Sequence, residues 1–498
     1  MKSVAKWLAL PLIALLIISG CTAVGGLDIQ KAIQANLKTT SSESKQSIKF
    51  ELEPASDKLT KEDKDMIALI NSTELHIDSA KVQSSKEISI KGDISYSGKK
   101  LPLQLSMDEK GMAVQFEGAK KPFYLFLQDS TTTNIDFKKY EEQINTLTAK
   151  LYEVIFKHLP NPKNISVKSV QENINGQSTN LTQLHVELNG EEIVSLVKPF
   201  VTSLVKDEVG LKELIGVIYD FASSMNDVDP SINVPDLGSR DAAIAMAYGM
   251  IQPALSEFVG KYDEYLAEAY KQEPELKTVL GKETVLKTDL YFDSSLKIRK
   301  QHVELKVMLP KYDDIPVKSF KISSDVEVWN IGADVKADKV DISGGVVNLG
   351  YDSENNMTPG TVLRNFEPNS DVYGLLKNQL KITQQSFMID SESDYYNVIK
   401  KQGSAFIPLR QVTSPLDAEV KWTKGSKVIT IIDDITQKEI VLTVGSKEAV
   451  VGGETVQLAA PVFVHKDGST YVPLRFLAEA LGASLHIDSE GWITITRN

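Results

Sequence analysis

The chain has 498 residues, 42% of them hydrophobic and 24% charged, so it can bury a sizeable core and is neither disordered nor collagen-like. Its 67 acidic against 55 basic side chains give a formal net charge of -12, which withholds the phosphate-neutralising surface that nucleic-acid binding needs. At roughly 100–200 residues per domain the length allows two to four domains.

Met1 to Ile18 carries Lys2 and Lys6 and then runs apolar from Trp7, the charged and hydrophobic regions of a secretory signal. The apolar run is too short to span a bilayer, for which a helix needs about 20 such residues. It ends at Ile18-Ser19-Gly20-Cys21, which resembles a bacterial lipobox. That resemblance implies that the Cys21 thiol takes a diacylglycerol, and with it fatty chains such as palmitate, and then becomes the new N-terminus. The alternative is an ordinary signal peptide that happens to hold a cysteine. Because Cys21 is the only cysteine, the lipidated chain would have no disulfide, no thiolate metal ligand and no cysteine nucleophile. Loss of Lys2 and Lys6 takes the net charge from -12 to -14, so an anionic membrane surface would repel the body. Attachment then rests on the acyl chains, each buried methylene contributing about 0.8 kcal/mol. The expected location is the extracytoplasmic face of the cell membrane.

Residues 21–44, with Gly25-Gly26 and Thr39-Thr40-Ser41-Ser42, read as a tether carrying one short helix from Asp28 to Leu37. From Lys45 apolar residues alternate: Ile48, Phe50 and Leu52, then Ile88, Ile90, Ile94 and Tyr96, then Leu101, Leu103, Leu105 and Met107, then Met112, Val114 and Phe116. Period two with polar turns predicts half-buried antiparallel strands. Tyr140, Ile144, Leu147, Leu151, Val154 and His158 recur at helical spacing, predicting one apolar face that stops at Pro160. Ser239 predicts the N-cap of an Ala-rich helix from Arg240 to about Tyr270, bent at Pro253. The stretch from Asn226 to Ser239 reads as a loop or a linker. Alternation returns over 285–292, 303–309 and 320–328, so strands flank a mostly helical middle.

The fold class expected for 45–350 is therefore α+β, one curved antiparallel sheet packed with helices. Its architecture resembles the half-barrel carriers of the lipoprotein-localisation type, whose hollow holds acyl chains. An ordinary filled core is the first expectation for apolar strand faces and a hollow the second.

After a connector over 351–387, the C-terminal 388–498 contains a repeat. Gly403-Ser404-Ala405-Phe406-Ile407-Pro408-Leu409-Arg410 recurs as Gly468-Ser469-Thr470-Tyr471-Val472-Pro473-Leu474-Arg475 at an offset of 65 residues. Each copy should pass from strand to helix at its proline, which extends the preceding residue and is tolerated in a first helical turn. The second copy continues to Glu479 and to Gly482, which suits a helix C-cap. Strand, Val472-Pro473-Leu474-Arg475, a helix ending Glu479-Ala480-Leu481-Gly482-Ala483 and paired strands closely resemble the copper amine oxidase N-terminal-like domain, or stalk domain, found in surface proteins of Gram-positive bacteria. The first copy departs from it at Ser414-Pro415-Leu416-Asp417-Ala418, which puts its helix in doubt. The expected module is thus small and duplicated, strand-helix-strand in each half, with Pro408, Leu409, Arg410, Pro473, Leu474, Arg475, Glu479 and Gly482 as structural motif residues.

The resemblance does not extend to a copper centre. The oxidases' catalytic domain needs converging histidines and an Asn-Tyr-Asp/Glu motif, and this chain has no Asn-Tyr dipeptide. Its six histidines, His76, His158, His185, His302, His465 and His486, share no helix face or short turn, so no metal and no other cofactor is expected. An anionic polymer is one use for Arg410 and Arg475; the structural alternative pairs Arg475 with Glu479 one helical turn on. Asp313-Asp314 and Asp433-Asp434 are expected to be solvated carboxylates in turns or at strand ends. Trp329, Trp422 and Trp492, with Tyr395-Tyr396, suit either a carbohydrate site or the core. No Walker loop, dinucleotide fingerprint, Gly-x-Ser-x-Gly elbow or His-Glu-x-x-His is present. The expected function is a non-catalytic, lipid-anchored cell-envelope protein, its partners being the membrane, through Cys21, and cell-wall polymer or surface proteins. An extracytoplasmic carrier or sensor of an apolar ligand is the alternative, and a wall hydrolase stays open.

Overall fold

The alternation of Ile48, Phe50 and Leu52 builds a strand, and in the computed structural model of the chain that strand is longer at both ends than the alternation, running over Ser42–Pro54. The structure describes residues 25–497 apart from 57, 128–136, 227–237, 313–314, 350–357, 393–395, 402, 424 and 489–490. Ile18, Ser19, Gly20 and Cys21 lie outside the described residues, as do Asp313-Asp314 and Tyr395. The chain divides into two compact units, residues 1–112 with 127–339 and residues 113–126 with 340–498.

The first unit opens with helix α1 (Ile29–Leu37), whose first turn is capped by the Asp28 carboxylate accepting from the Lys31 N–H. Next come β1 (Ser42–Pro54), α2 (Lys61–Asn71), β2 (Glu74–Val82), β3 (Ile88–Tyr96) and β4 (Lys99–Met107). Strands β5 (Gly111–Phe116) and β6 (Phe123–Phe126) follow in the chain and group mainly with the second unit. The helical block begins with α3 (Phe137–His158) but is then interrupted by a hairpin, β7 (Asn164–Ile174) and β8 (Gln177–Asn189). Asn175 and Gly176 turn it with φ of 48° and 81°, the left-handed pair that a two-residue hairpin turn requires. Helices α4 (Gly190–Lys206), α5 (Glu208–Asn226), α6 (Arg240–Gln272) and α7 (Leu276–Val279) lead to β9 (Val285–Phe292), β10 (Ile298–Met308) and β11 (Val317–Trp329). The Ser239 hydroxyl caps α6 by accepting from the Ala242 N–H, and the helix continues through Pro253.

These strands form a curled antiparallel sheet in the order β4-β3-β2-β1-β11-β10-β9-β8-β7. The α+β class and the helix-packed sheet are therefore found. The middle, expected to be mostly helical, carries the β7–β8 hairpin, and α2 with β2 stands between the first two alternating segments. Residues 27–37, read as part of a tether, are packed: Leu27, Ile29 and Ala32 are at most 5% exposed, because α1 lies on the apolar face of β8 and β9. The predicted stripe on α3 is also only partly buried. Val154 and His158 are inside, whereas Ile144 is 50% and Leu151 39% exposed, since α5 meets α3 along the Val154 side.

The second unit contains β12 (Val347–Asn348), which pairs in parallel with β6, and the short helices α8 (Pro359–Arg364) and α9 (Asp371–Gly374). Three small sheets follow. One has the order β13 (Gln385–Asp390), β24 (Trp492–Arg497), β23 (Ser484–Ile487). The next has β14 (Ile399–Lys401), β15 (Ser404–Pro408), β22 (Thr470–Pro473), β21 (Phe463–Val464). The last runs β16 (Ala418–Trp422), β17 (Val428–Asp433), β18 (Glu439–Thr443), β19 (Glu448–Val451), β20 (Glu454–Gln457). Helices α10 (Arg410–Thr413) and α11 (Leu474–Ala480) follow the two proline motifs. Ile389, Ile407, Leu416, Ile431, Leu442 and Val472 centre a shared core.

Candidate functional site

Cross-strand register lines up one apolar face along the whole sheet of the first unit. Leu188, Leu286, Leu305, Ile322 and Phe50 are successive partners, and Ile48, Leu75, Ile94 and Leu101 continue that face. Over β8 and parts of β9 and β10 the face is sealed, Leu290 and Val303 staying half-buried. Leu184, Val186, Leu188, Leu286, Leu305 and Val307 are at most 7% exposed, beneath Ile29 and Ala32 of α1, Ile193 and Leu196 of α4 and Val279 of α7.

Over β11 and β1–β4 the same face is sealed at Tyr96 and Leu101, 2% and 4% exposed, and open over most of the rest. Phe320, Ile322, Ile48, Leu52, Leu75, Ile77, Ile90, Ile94, Leu103 and Leu105 are all half-buried, and Phe50 is 42% exposed. Full burial of one such side chain contributes about 1.5–3 kcal/mol, so this half leaves much of its apolar stabilisation unrealised. On β3 burial is inverted. Polar Ser89 and Asp93 are only 3% and 7% exposed, less than Ile88, Ile90 and Ile94 around them. At Ser89 the cover is the segment 330–339, which straps that end of the polar face: the Asp338 N–H donates to Ser89 Oγ, and its carboxylate pairs with Lys81 at 3.1 Å and Lys91 at 2.9 Å, while Asp93 pairs with Lys100 at 3.6 Å. Gly92 sits mid-face where β2 bulges, and a Cβ there would lie 1.9 Å from the His76 carbonyl oxygen. At the Val82 end of β2 a cavity of about 950 Å³ opens, lined by Gln34 and Leu37 of α1, Thr148 and Tyr152 of α3, Val82 and Val217. Its size is at the upper end of ordinary small-molecule sites.

The opposite face gathers histidines that the sequence keeps apart. Asp93, His76, Ser47, Asp325, His302, Asp289, His185 and Ser166 are successive cross-strand partners, one from each of eight strands. His302 Nδ1 lies 2.9 Å from the Asp325 carboxylate and His185 Nδ1 2.8 Å from that of Asp289. They form a row and not a convergent set: among the described residues no group of three or more His, Cys, Asp or Glu comes together to hold a metal ion. The other histidines stand apart. His158 ends α3, hydrogen-bonded to Ser203 and Asp207, and His465 pairs with Asp467 at 3.3 Å; His486 is on β23. Burial pushes the His158 pKa below its ordinary value, with the Asp207 charge opposing it.

In the second unit the two proline motifs pair with one another, Phe406 with Pro473, Ile407 with Val472 and Pro408 with Tyr471. Leu409 and Leu474 are buried at 4% and 1% exposure. After the first motif α10 is a single turn, ending where Ser414-Pro415 and the left-handed Asp417 replace the longer helix of the second. That second helix, α11, closes on Gly482 at φ 74°: the Gly482 N–H donates to Glu479 O and the Ala483 N–H to Ala478 O, the paired bonds of a Schellman cap. Arg475 reaches Glu479 only at 3.9 Å, with both side chains more than 60% exposed, and Arg410 is exposed on α10. The expectation that Asp433-Asp434 are solvated is corrected, since they are 1% and 8% exposed. Buried Arg497 pairs with Asp433 at 2.8 Å and also donates to the Leu416 and Leu481 carbonyls. Asp434 faces Arg364 at 3.2 Å, yet burial pushes its pKa up to about 6. Trp329 donates to Glu43, while Trp422 and Trp492 are 54% and 38% exposed on separate sheets of the second unit.

No helix among the described residues is long and apolar enough to cross a membrane. No curated protein matches the chain. Residues 389–496 match the family model described as copper amine oxidase N-terminal domain, which supports the resemblance seen in the Tyr471–Ala483 segment of the C-terminal module.

Proposed function

We propose that the protein is a non-catalytic, lipid-anchored protein on the extracytoplasmic face of the cell membrane, whose first unit binds an apolar ligand such as the acyl chain of a lipid. The observation that carries this reading is the largely unsealed half of the apolar sheet face, beside a cavity of about 950 Å³. A face meant only as core would be covered along its length, as it is over β8. The module at 389–496 then serves as the contact domain, toward cell-wall polymer or another surface protein.

Native mass spectrometry of the full chain, purified under gentle conditions after removal of its own acyl anchor, tests the ligand. A co-purifying apolar molecule near one per chain is expected, and its absence from protein shown to be folded would sink the carrier reading and leave scaffolding. The anchor is tested separately: a Cys21→Ser chain should leave the membrane fraction, and retention there as firm as the parent's would overturn lipid attachment.

A further inference from the structure

One face of β23, an outer strand of its sheet, borders a groove of about 820 Å³ in the second unit. Three sheets present an outer strand to it, β14, β20 and β23, each the last in its strand order. Leu485 and Ile487, which share one face of β23, line it together with Val456 of β20, and Ile487 and Val456 are 51% and 37% exposed. Exposed edge strands are ordinarily blunted by shortness, a lysine, a proline or a bulge; β23, Ser484-Leu485-His486-Ile487, is short at 4 residues but carries no lysine, proline or bulge. The rim is cationic: Lys400, Lys401 and Arg475 stand against one carboxylate, Glu479, in a chain whose net charge is -12. The guanidinium of Arg475 makes a loose 3.9 Å pairing with Glu479, and the Lys401 ammonium sits over the Phe463 ring at 5.5 Å.

We propose that this groove binds an extended peptide segment with alternating apolar and acidic side chains, added as a further strand along β23. Backbone pairing to the open edge supplies affinity, and alternate side chains are sorted between the aliphatic floor and the cationic rim. A phosphate-rich polymer would meet the three cations but give Leu485, Ile487 and Val456 nothing to bury. Charge complementarity and the apolar floor together therefore favour a peptide. The site deepens the contact role given to the module and is independent of any ligand in the first unit.

The test uses the full chain and a fluorescein-labelled peptide, Glu-Val-Glu-Val-Glu-Val-Glu, followed by fluorescence anisotropy. Binding should weaken several-fold when glutamine replaces the peptide's glutamates and when salt is raised. Methylation of all the peptide's backbone nitrogens, so that whichever alternate set faces β23 is blocked, should abolish it. A Lys401→Glu, Arg475→Glu chain should bind at least tenfold more weakly and should instead accept a Lys-Val peptide. Both altered residues are exposed, and a thermal melt verifies folding; the peptide changes test the parent chain without any mutation. Equal binding of the methylated peptide, indifference to the charge reversal, or a polyphosphate chain that binds where the peptide does not would each overturn the proposal.

Discussion

The two halves of the first unit's sheet share an apolar face and differ in what covers it. Over β8, Leu184, Val186 and Leu188 vanish under α1 and α4, whereas over β1–β4 their counterparts Ile48, Ile94 and Leu105 remain half-buried. The strands of both halves alternate alike, so alternation specifies that a face is apolar and not that it is core. The sealed half buries its apolar side chains within the chain, and the open half is the part that the proposed ligand would cover.

A charge placed in each half should separate the two most sharply. Val186→Asp puts a carboxylate at a 1% exposed position without a partner, and the first unit should fail to fold; Leu105→Asp should fold with a near-native circular dichroism spectrum and lose the apolar ligand by native mass spectrometry. If both fold, or both fail, the contrast between the halves is wrong. Truncation gives the next largest effect. Leu184→Ala should cost about 2–5 kcal/mol in urea unfolding, and Ile90→Ala in the open half about 1 kcal/mol, because less contact is lost.

Removing the tie between α1 and the sealed half should have a smaller effect. The Asn36 amide donates to Leu296 O at 2.8 Å and accepts from the Ile298 N–H at 2.9 Å. Asn36→Ala should cost about 1–2 kcal/mol and speed hydrogen exchange in α1 before β9 and β10 are affected.

The smallest expected effect is that of pH, and it has opposite signs in the two units. Burial lowers the His158 pKa, so as pH falls below the ordinary histidine value the unfolded chain takes up a proton that the native ring resists, and the α3 corner with Ser203 and Asp207 loses stability. Asp434, raised to about 6, keeps its proton in the folded module at pH values where an unfolded carboxyl has lost it. Its contribution is fully present below the ordinary carboxyl value and is lost as pH rises through about 6. Moving from pH 7 to 5 should therefore lower the hydrogen-exchange protection factors, which are corrected for the intrinsic pH dependence of exchange, in α3 and raise them around Asp434. His158→Asn should flatten the first response, and Asp434→Asn the second.

Period-two alternation made β1, β3, β4 and β9–β11 readable, because a strand alternates its side chains between two faces whatever surrounds it. The α6 cap was equally local, needing only Ser239 before an Ala-rich run. Two further signals were present in the sequence and lead directly to structure: Asn175-Gly176 turns the β7–β8 hairpin, and Thr60 with Asp63 forms the capping box of α2. The inverted burial on β3 had no such signal, since it depends on Asp338 returning to Lys81 and Lys91 from far along the chain. The burial of Asp433 depends likewise on distant Arg497.

By itself the sequence determined strands β1, β3, β4 and β9–β11, the cap of α6 and which family its C-terminal part resembles, because periodicity, caps and turn residues act within a few positions. Only the tertiary structure decided that three separated histidines share one cross-strand row, and that one stretch of an apolar face is sealed while the next is left open. Both outcomes depend on which distant segments come to lie across a face, and burial is a property of that neighbourhood and not of the strand that carries the side chain.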